Sequence, residues 1–223
     1  MRILLTADPE LPVPPGNYGG IERLVDMWIK ELRNQGHVVG LCAHLDSTCE
    51  VDFFAPWPGK ASQDAGSTWL NTWALFRAAR EFRADVVHSS SRLIYTLPLL
   101  LTQRPTVMTY HRWPGVRQIR WAARLGRQHL RFTGVSKFIA EVGGAGGGQW
   151  DAVANCINLD AYQHHPTVAP DAPLVFLSRI ESVKGVSEAI TIARRSGRSL
   201  LIAGNHSADA NARAYWENEI EPA

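Results

Sequence analysis

The sequence predicts an α/β protein: a doubly wound, Rossmann-like parallel sheet followed by an incomplete second βαβ unit. Three observations carry this. Short apolar runs alternate with helical patterns from the N-terminus to about residue 156, the signature of parallel strands joined by crossover helices. The stretch 174–204, LVFLSRIESVKGVSEAITIARRSGRSLLIAG, reads strand, polar turn, helix, strand. Between them lies a linker near 158–172, marked by Pro166 and Pro170 and closed by Pro173 just after it.

Strands are expected near 2–6, 37–43, 84–88, 105–110, 130–135 and 151–156, each an apolar run bounded by polar or turn residues. The helix at 21–35 is well marked, because Ile21, Leu24, Val25, Trp28, Ile29 and Leu32 share one face and Gly36 stops it. Further helices are expected near 67–82, 91–102, 115–127 and 136–142. Residues 46–66, rich in Pro, Gly and Ser, read as a long connection, and GGAGGG at 143–148 as a flexible turn. Domain boundaries follow at 1–160 and 171–223. The second segment holds strands 174–178 and 199–203, a firm helix 184–196 and a weaker one at 209–220. Two strands alone make a marginal sheet, so this segment reads as the start of a second domain.

With 223 residues, 45% of them hydrophobic, the chain can bury a substantial core. A net charge of +2 excludes wholesale affinity for nucleic acid. Cys42, Cys49 and Cys156 lack metal-ligand spacing, and their odd number argues against a disulfide framework. Cys42 and Cys156 are expected in strands as buried thiols. The longest apolar run, Ile94–Leu101, is too short to span a bilayer and contains Pro98, so a cytoplasmic protein is expected. The pair His164-His165 has no companion ligands and reads as a solvated loop rather than a metal site.

Ligands of parallel sheets bind beyond the carboxyl ends of the strands. Arg179 and Lys184 sit there, beside a helix start, and two cations with a helix N-terminus suit a diphosphate. The same pair also suits a plain solvated surface. Gly19 and Gly20, in PPGNYGGIERLV after the first strand, let the backbone turn tightly and approach a ligand. His111 ends the strand Pro105–Tyr110, where an imidazole can bond a sugar hydroxyl or steady departing charge, or simply be satisfied by nearby backbone. His88 ends another strand, and Ser89, Ser90 and Ser91 after it read as caps of the next helix.

Together, PxGGxER and SRIESVKG, with TYHRWPG (109–115), TGVSKFIAE (133–141) and VANCINLDAY (153–162) between them in order, resemble the retaining glycosyltransferases of family 4. The resemblance implies the GT-B fold, two Rossmann-like domains with the active site between them. It implies a nucleoside diphosphate sugar as donor, transfer to an acceptor hydroxyl with retention, and no metal or other cofactor. In that scheme Arg179 and Lys184 neutralise the departing diphosphate, Gly19 and Gly20 bring backbone N–H groups to the cleft, and His111 contacts the sugar. Attack from the leaving-group face means that no carboxylate nucleophile is needed. The family's donor-binding glutamates lie downstream of the region matched here. Asn155-Cys156 and Ser178-Arg179 depart from the family pattern, which carries Gly after that Asn and before that Arg.

From Arg112 to Arg131 there are six arginines and no acid. Arg117, Arg120, Arg124, Arg127 and Arg131 are expected along one face of a helix, a basic stripe suited to an anionic membrane or a phosphorylated acceptor. A solvated basic face is the alternative. For the whole chain, the alternatives to a transferase are a non-catalytic or split subunit of the same fold and a nucleotide-sugar 2-epimerase. An NAD-linked dehydrogenase is disfavoured, since no GxGxxG follows the first strand.

Overall fold

The computed structural model describes residues 1–206 and 210–222. The chain divides into two compact units, Met1–Leu159 and Asp160–Ala223. In the first, β1 (Arg2–Thr6) leads to α1 (Gly20–Asn34), β2 (Val38–Ala43), β3 (Phe53–Pro56) and α2 (Ala65–Glu81). Then come β4 (Val86–Ser89), a 3-10 turn (Leu93–Thr96), α3 (Leu97–Leu100), β5 (Thr106–Tyr110), α4 (Val116–Gly126), β6 (Leu130–Gly134), α5 (Lys137–Gly144) and β7 (Gln149–Ala152). All seven strands are parallel, in the order β3-β2-β1-β4-β5-β6-β7. The direction of winding reverses between β1 and β4.

Period-2 alternation divides the core between the faces of the sheet. Ile3, Leu5, Val39 and Leu41 pack with Val25 and Ile29 of α1, while Leu4, Cys42 and Val87 pack with Leu75, Ala78 and Ala79 of α2. A third cluster joins Met108, Leu130 and Phe132 to Ile119 and Ala122 of α4.

Several expectations require correction. The connection 46–66 contains an edge strand, β3, whose Pro56 is tolerated because it closes the strand at the sheet margin. Phe53 stacks on Phe82 at 5.1 Å, Trp57 Nε1 donates to the Ala7 carbonyl at 2.7 Å, and the buried Asn71 amide bonds both N–H and C=O of Gly59. The helix expected at 91–102 is a 3-10 turn plus the short α3, with Pro98 in its first turn, where no N–H is needed. The arginine helix ends at Gly126. A side chain there would meet Leu130 Cβ at 2.5 Å, and burial of Leu130 and Phe132 draws the chain into β6. Arg127 follows the helix end with φ 44°, and Arg131 lies on β6, so neither extends the α4 face. Gly143 and Gly144 are helical, and Gly143 leaves the room that Trp150 fills. Trp150 stacks on Phe132 at 4.8 Å and draws the last strand to 149–152, which leaves Cys156 exposed and outside any strand.

In the second unit, β8 (Leu174–Leu177) and β9 (Leu200–Ala203) pair in parallel around α6 (Val186–Ser196), followed by α7 (Ala210–Tyr215) and a π-helical turn (Trp216–Ile220). Ile180, Val186, Tyr215 and Ile220 form its core, and Tyr215 Oη accepts from the Ser187 N–H at 3.1 Å. Position 209 of the expected last helix lies outside the described residues.

Candidate functional site

The carboxyl ends of β1, β4 and β5 meet where the winding of the sheet reverses, the place where such sheets bind ligands. A cavity of about 200 Å³ opens there. Asp8 follows β1, Ile21 lies in the first turn of α1, Ser90–Ile94 follow β4, and Met108–Trp113 bring the end of β5 and the turn beyond it.

His111 lies in this cavity. Its Nε2 is 3.3 Å from Ser90 Oγ, and its buried Nδ1 has no hydrogen-bond partner. Burial, reinforced by the Arg112 charge, lowers its pKa to about 4, so the ring is neutral at ordinary pH. A neutral imidazole acts as a hydrogen-bonding group rather than as a cation.

Asp8 was not singled out from the sequence, although it stands just past the end of β1, where the strand-end rule would have placed a ligand contact. The Trp57–Ala7 hydrogen bond holds the backbone immediately before it. Oδ1 is buried without a partner, and Oδ2 is 3.7 Å from Arg112. Burial and then the charge of Glu10 raise its pKa to about 6. Three residues that each carry a buried, unmet polar atom, Asp8, Tyr110 and His111, thus line one cavity. Buried polar atoms are rarely left without partners, and their clustering marks this cavity as the place to seek a polar ligand.

The serines after His88 do other work than capping. Ser89 and Ser91 Oγ lie 3.0 and 2.7 Å from Thr6 Oγ1, a buried hydroxyl cluster joining β1 to β4, and Ser90 meets His111. His88 Nε2 is 2.7 Å from Thr109 Oγ1, which is 2.7 Å from Thr133 Oγ1, and Trp28 stacks on the His88 ring at 4.7 Å. Burial lowers the His88 pKa to about 4.

Gly19 and Gly20 are not lining residues, but they lead directly to Ile21, which is. Gly19 has φ 146°, and a Cβ there would meet Pro15 at 2.7 Å and Glu22 Oε2 at 2.8 Å, whereas a Cβ on Gly20 meets nothing within 4 Å. Glycine is therefore demanded at Gly19 by the turn itself, and Gly20 leaves the start of α1 open.

In the second unit, Arg179 pairs with Glu181 at 2.8 Å, and Lys184 is exposed in a 3-10 turn ahead of Gly185 (φ 79°), which starts α6. Among the described residues, no group of three or more His, Cys, Asp or Glu side chains is placed to hold a metal ion, and no helix is long and apolar enough to cross a membrane.

A family model described as Glycosyltransferase Family 4 matches residues 18–160. No curated protein matches the chain. Among solved structures, the chain is similar to a sucrose-phosphate synthase from Thermosynechococcus elongatus, with TM-score 0.74 and 12% identity over 99% of this chain and 67% of that one. It is similar to a glycosyltransferase from Rickettsia africae ESF-5, with TM-score 0.70 and 16% identity over 99% of this chain and 65% of that one. It is also similar to AviGT4, a glycosyltransferase involved in avilamycin A biosynthesis, with TM-score 0.63 and 21% identity over 98% of this chain and 61% of that one. The chain thus spans less than two thirds of the length of the latter two, and at these identities the likeness is one of fold.

Proposed function

The chain belongs to glycosyltransferase family 4, and on that premise we propose that it serves the transfer of a sugar from a nucleoside diphosphate donor to an acceptor hydroxyl, with retention. The observation that carries the reading is the cavity at the strand ends, lined by His111 and Asp8, each of which has a buried polar atom without a partner. In this reading the neutral His111 bonds a hydroxyl of the transferred sugar. Asp8 meets a second hydroxyl. The bond from the anomeric carbon to the diphosphate breaks as the acceptor oxygen attacks from the same face, and the acceptor proton passes to the departing phosphate. Arg179 and Lys184 neutralise that phosphate, and Gly20 leaves backbone N–H groups open beside the cavity. No metal or other cofactor takes part. The exposed arginines of α4, Arg117, Arg120 and Arg124, with Arg127 just beyond, take an anionic partner, and the protein works in the cytoplasm, peripherally at a membrane.

A second reading, a GT-B subunit that acts by binding without transfer, draws on one observation. Arg179 Nη1 is already paired with Glu181, which offsets part of the charge that a diphosphate would meet.

Both readings are tested by incubating the protein with a panel of nucleoside diphosphate sugars, following diphosphate release and, by calorimetry, binding. Release that falls roughly tenfold to a hundredfold in His111→Gln and in Lys184→Ala is expected for the enzyme. Binding without release favours the second reading. Folded protein that neither binds nor turns over any donor would refute the first, and a product of inverted anomeric configuration would remove retention from it.

A further inference from the structure

The arginines of α4 border an apolar groove that the candidate site leaves unused. Between α4 and the 93–100 stretch runs a cavity of about 520 Å³ walled by Leu93, Ile94, Leu97, Leu100, Trp121 and Leu125. Its rim is bare. Trp121 is 65% exposed and the adjoining Leu101 73%, and Ile94, Leu97 and Leu125 are exposed as well. Large apolar side chains clustered in this way on a surface mark a contact.

Charge indicates what makes the contact. From Val86 to Ala140 the chain has no Asp or Glu, but it has eight Arg and one Lys, although the whole protein carries only +2. Arg117, Arg120 and Arg124 project from α4 without an acidic neighbour in that helix, and Arg124 and Arg127 line a second cavity that continues past Leu100 and Leu101. The guanidinium of Arg124 lies 6.0 Å from the centre of the Trp121 ring. A soluble phosphorylated ligand would need the arginines but not the exposed Trp and Leu. A neutral apolar partner would need the reverse. An anionic bilayer uses both, since its headgroups meet guanidinium groups while Trp and Leu enter the acyl boundary.

We infer that the face formed by α4 and the 93–101 stretch docks on the surface of an anionic phospholipid bilayer, with Trp121 and Leu125 inserted shallowly and Arg117, Arg120, Arg124 and Arg127 on the headgroups. The docked face adjoins the candidate site, because groove and site cavity share Arg92, Leu93, Ile94 and Gln118. The inference does not depend on the chemistry assigned to that cavity.

Co-sedimentation of the full chain with phosphatidylcholine vesicles, with and without phosphatidylglycerol, tests it. Binding is expected only with phosphatidylglycerol and is expected to fall steeply as salt is raised. Arg120→Glu with Arg124→Glu should weaken partitioning by ~30-fold or more, taking roughly fivefold per arginine near an anionic surface. Trp121→Ser should weaken it in low salt while leaving circular dichroism unchanged, and Arg77→Glu with Arg195→Glu, two exposed sites outside the face, should not. Wild type that ignores phosphatidylglycerol vesicles at low salt overturns the inference. So does binding that survives the double reversal, or glucose 1-phosphate perturbing α4 resonances in a protein that vesicles leave in solution, an outcome that would assign the face to a soluble phosphorylated partner.

Discussion

At the scale of the residue, Gly19 and Gly20 differ more than their adjacency suggests. Gly19 combines φ 146° with clashes against Pro15 and Glu22, so Gly19→Ala should lower stability by about 1–3 kcal/mol and strain the turn that leads into the site. Gly20→Ala meets open space at the first position of α1, and its stability should stay within ~0.5 kcal/mol of wild type. Urea denaturation separates the two. If Gly20→Ala alters donor affinity while leaving stability intact, the backbone at Gly20 touches ligand. His111 illustrates the same division. Its place at the end of β5 was legible from the apolar run before it, but its neutral state follows from burial and from Arg112, which depend on packing.

At the scale of the element, the segment between β2 and α2 depends on contacts remote in the chain, and Asn71 supplies two of them. The Asn71 amide, fully buried, accepts from the Gly59 N–H at 2.8 Å and donates to its carbonyl at 3.0 Å. Asn71→Ala would leave both backbone groups buried without partners. A loss of roughly 2–4 kcal/mol is expected, read as a fall in Tm on the order of 5–10 °C. Sequence pattern alone missed this segment, since Pro56, Pro58 and Gly59 interrupt its periodicity and its contacts, with Ala7, Asn71 and Phe82, are all remote in the chain. The arginine stripe failed in the opposite sense. Its spacing fits a helix through Arg131, but the core takes Leu130 and Phe132, and three arginines remain on the helix where five were expected.

At the scale of the whole molecule, buried titrating groups set how stability depends on pH. His88 and His111 have folded pKa values near 4 against 6.5 unfolded, so below about pH 6.5 the unfolded chain binds protons that the fold refuses. Stability should fall as pH drops from 6.5 toward 4. Asp8, raised from 3.8 to about 6, acts the other way across that window, because the fold keeps a proton that the unfolded chain has released. Glu22, also raised by burial, acts with Asp8, but the two histidines carry the larger shifts, so the net trend is a declining Tm on acidification. Calorimetric scans should show the decline flattened in His88→Gln and steepened in Asp8→Asn; a wild-type Tm that is level from pH 6.5 to 4.5 would contradict the assignment.

What the sequence determined by itself were the features written in local order: strand–helix alternation, the strong face of α1, the βαβ pattern of 174–204, and the residues just past strand ends. Each depends on periodicity or on a turn within a few residues, and so survives in one dimension. Tertiary structure alone decided which strand ends adjoin. It placed Asp8 from β1 beside His111 from β5, tied Thr6 to Ser89 and Ser91, and shaped the groove between α3 and α4. Those pairings depend on the order of strands in the sheet, and burial sets the protonation of the groups they bring together; neither quantity is a function of neighbouring residues in the chain.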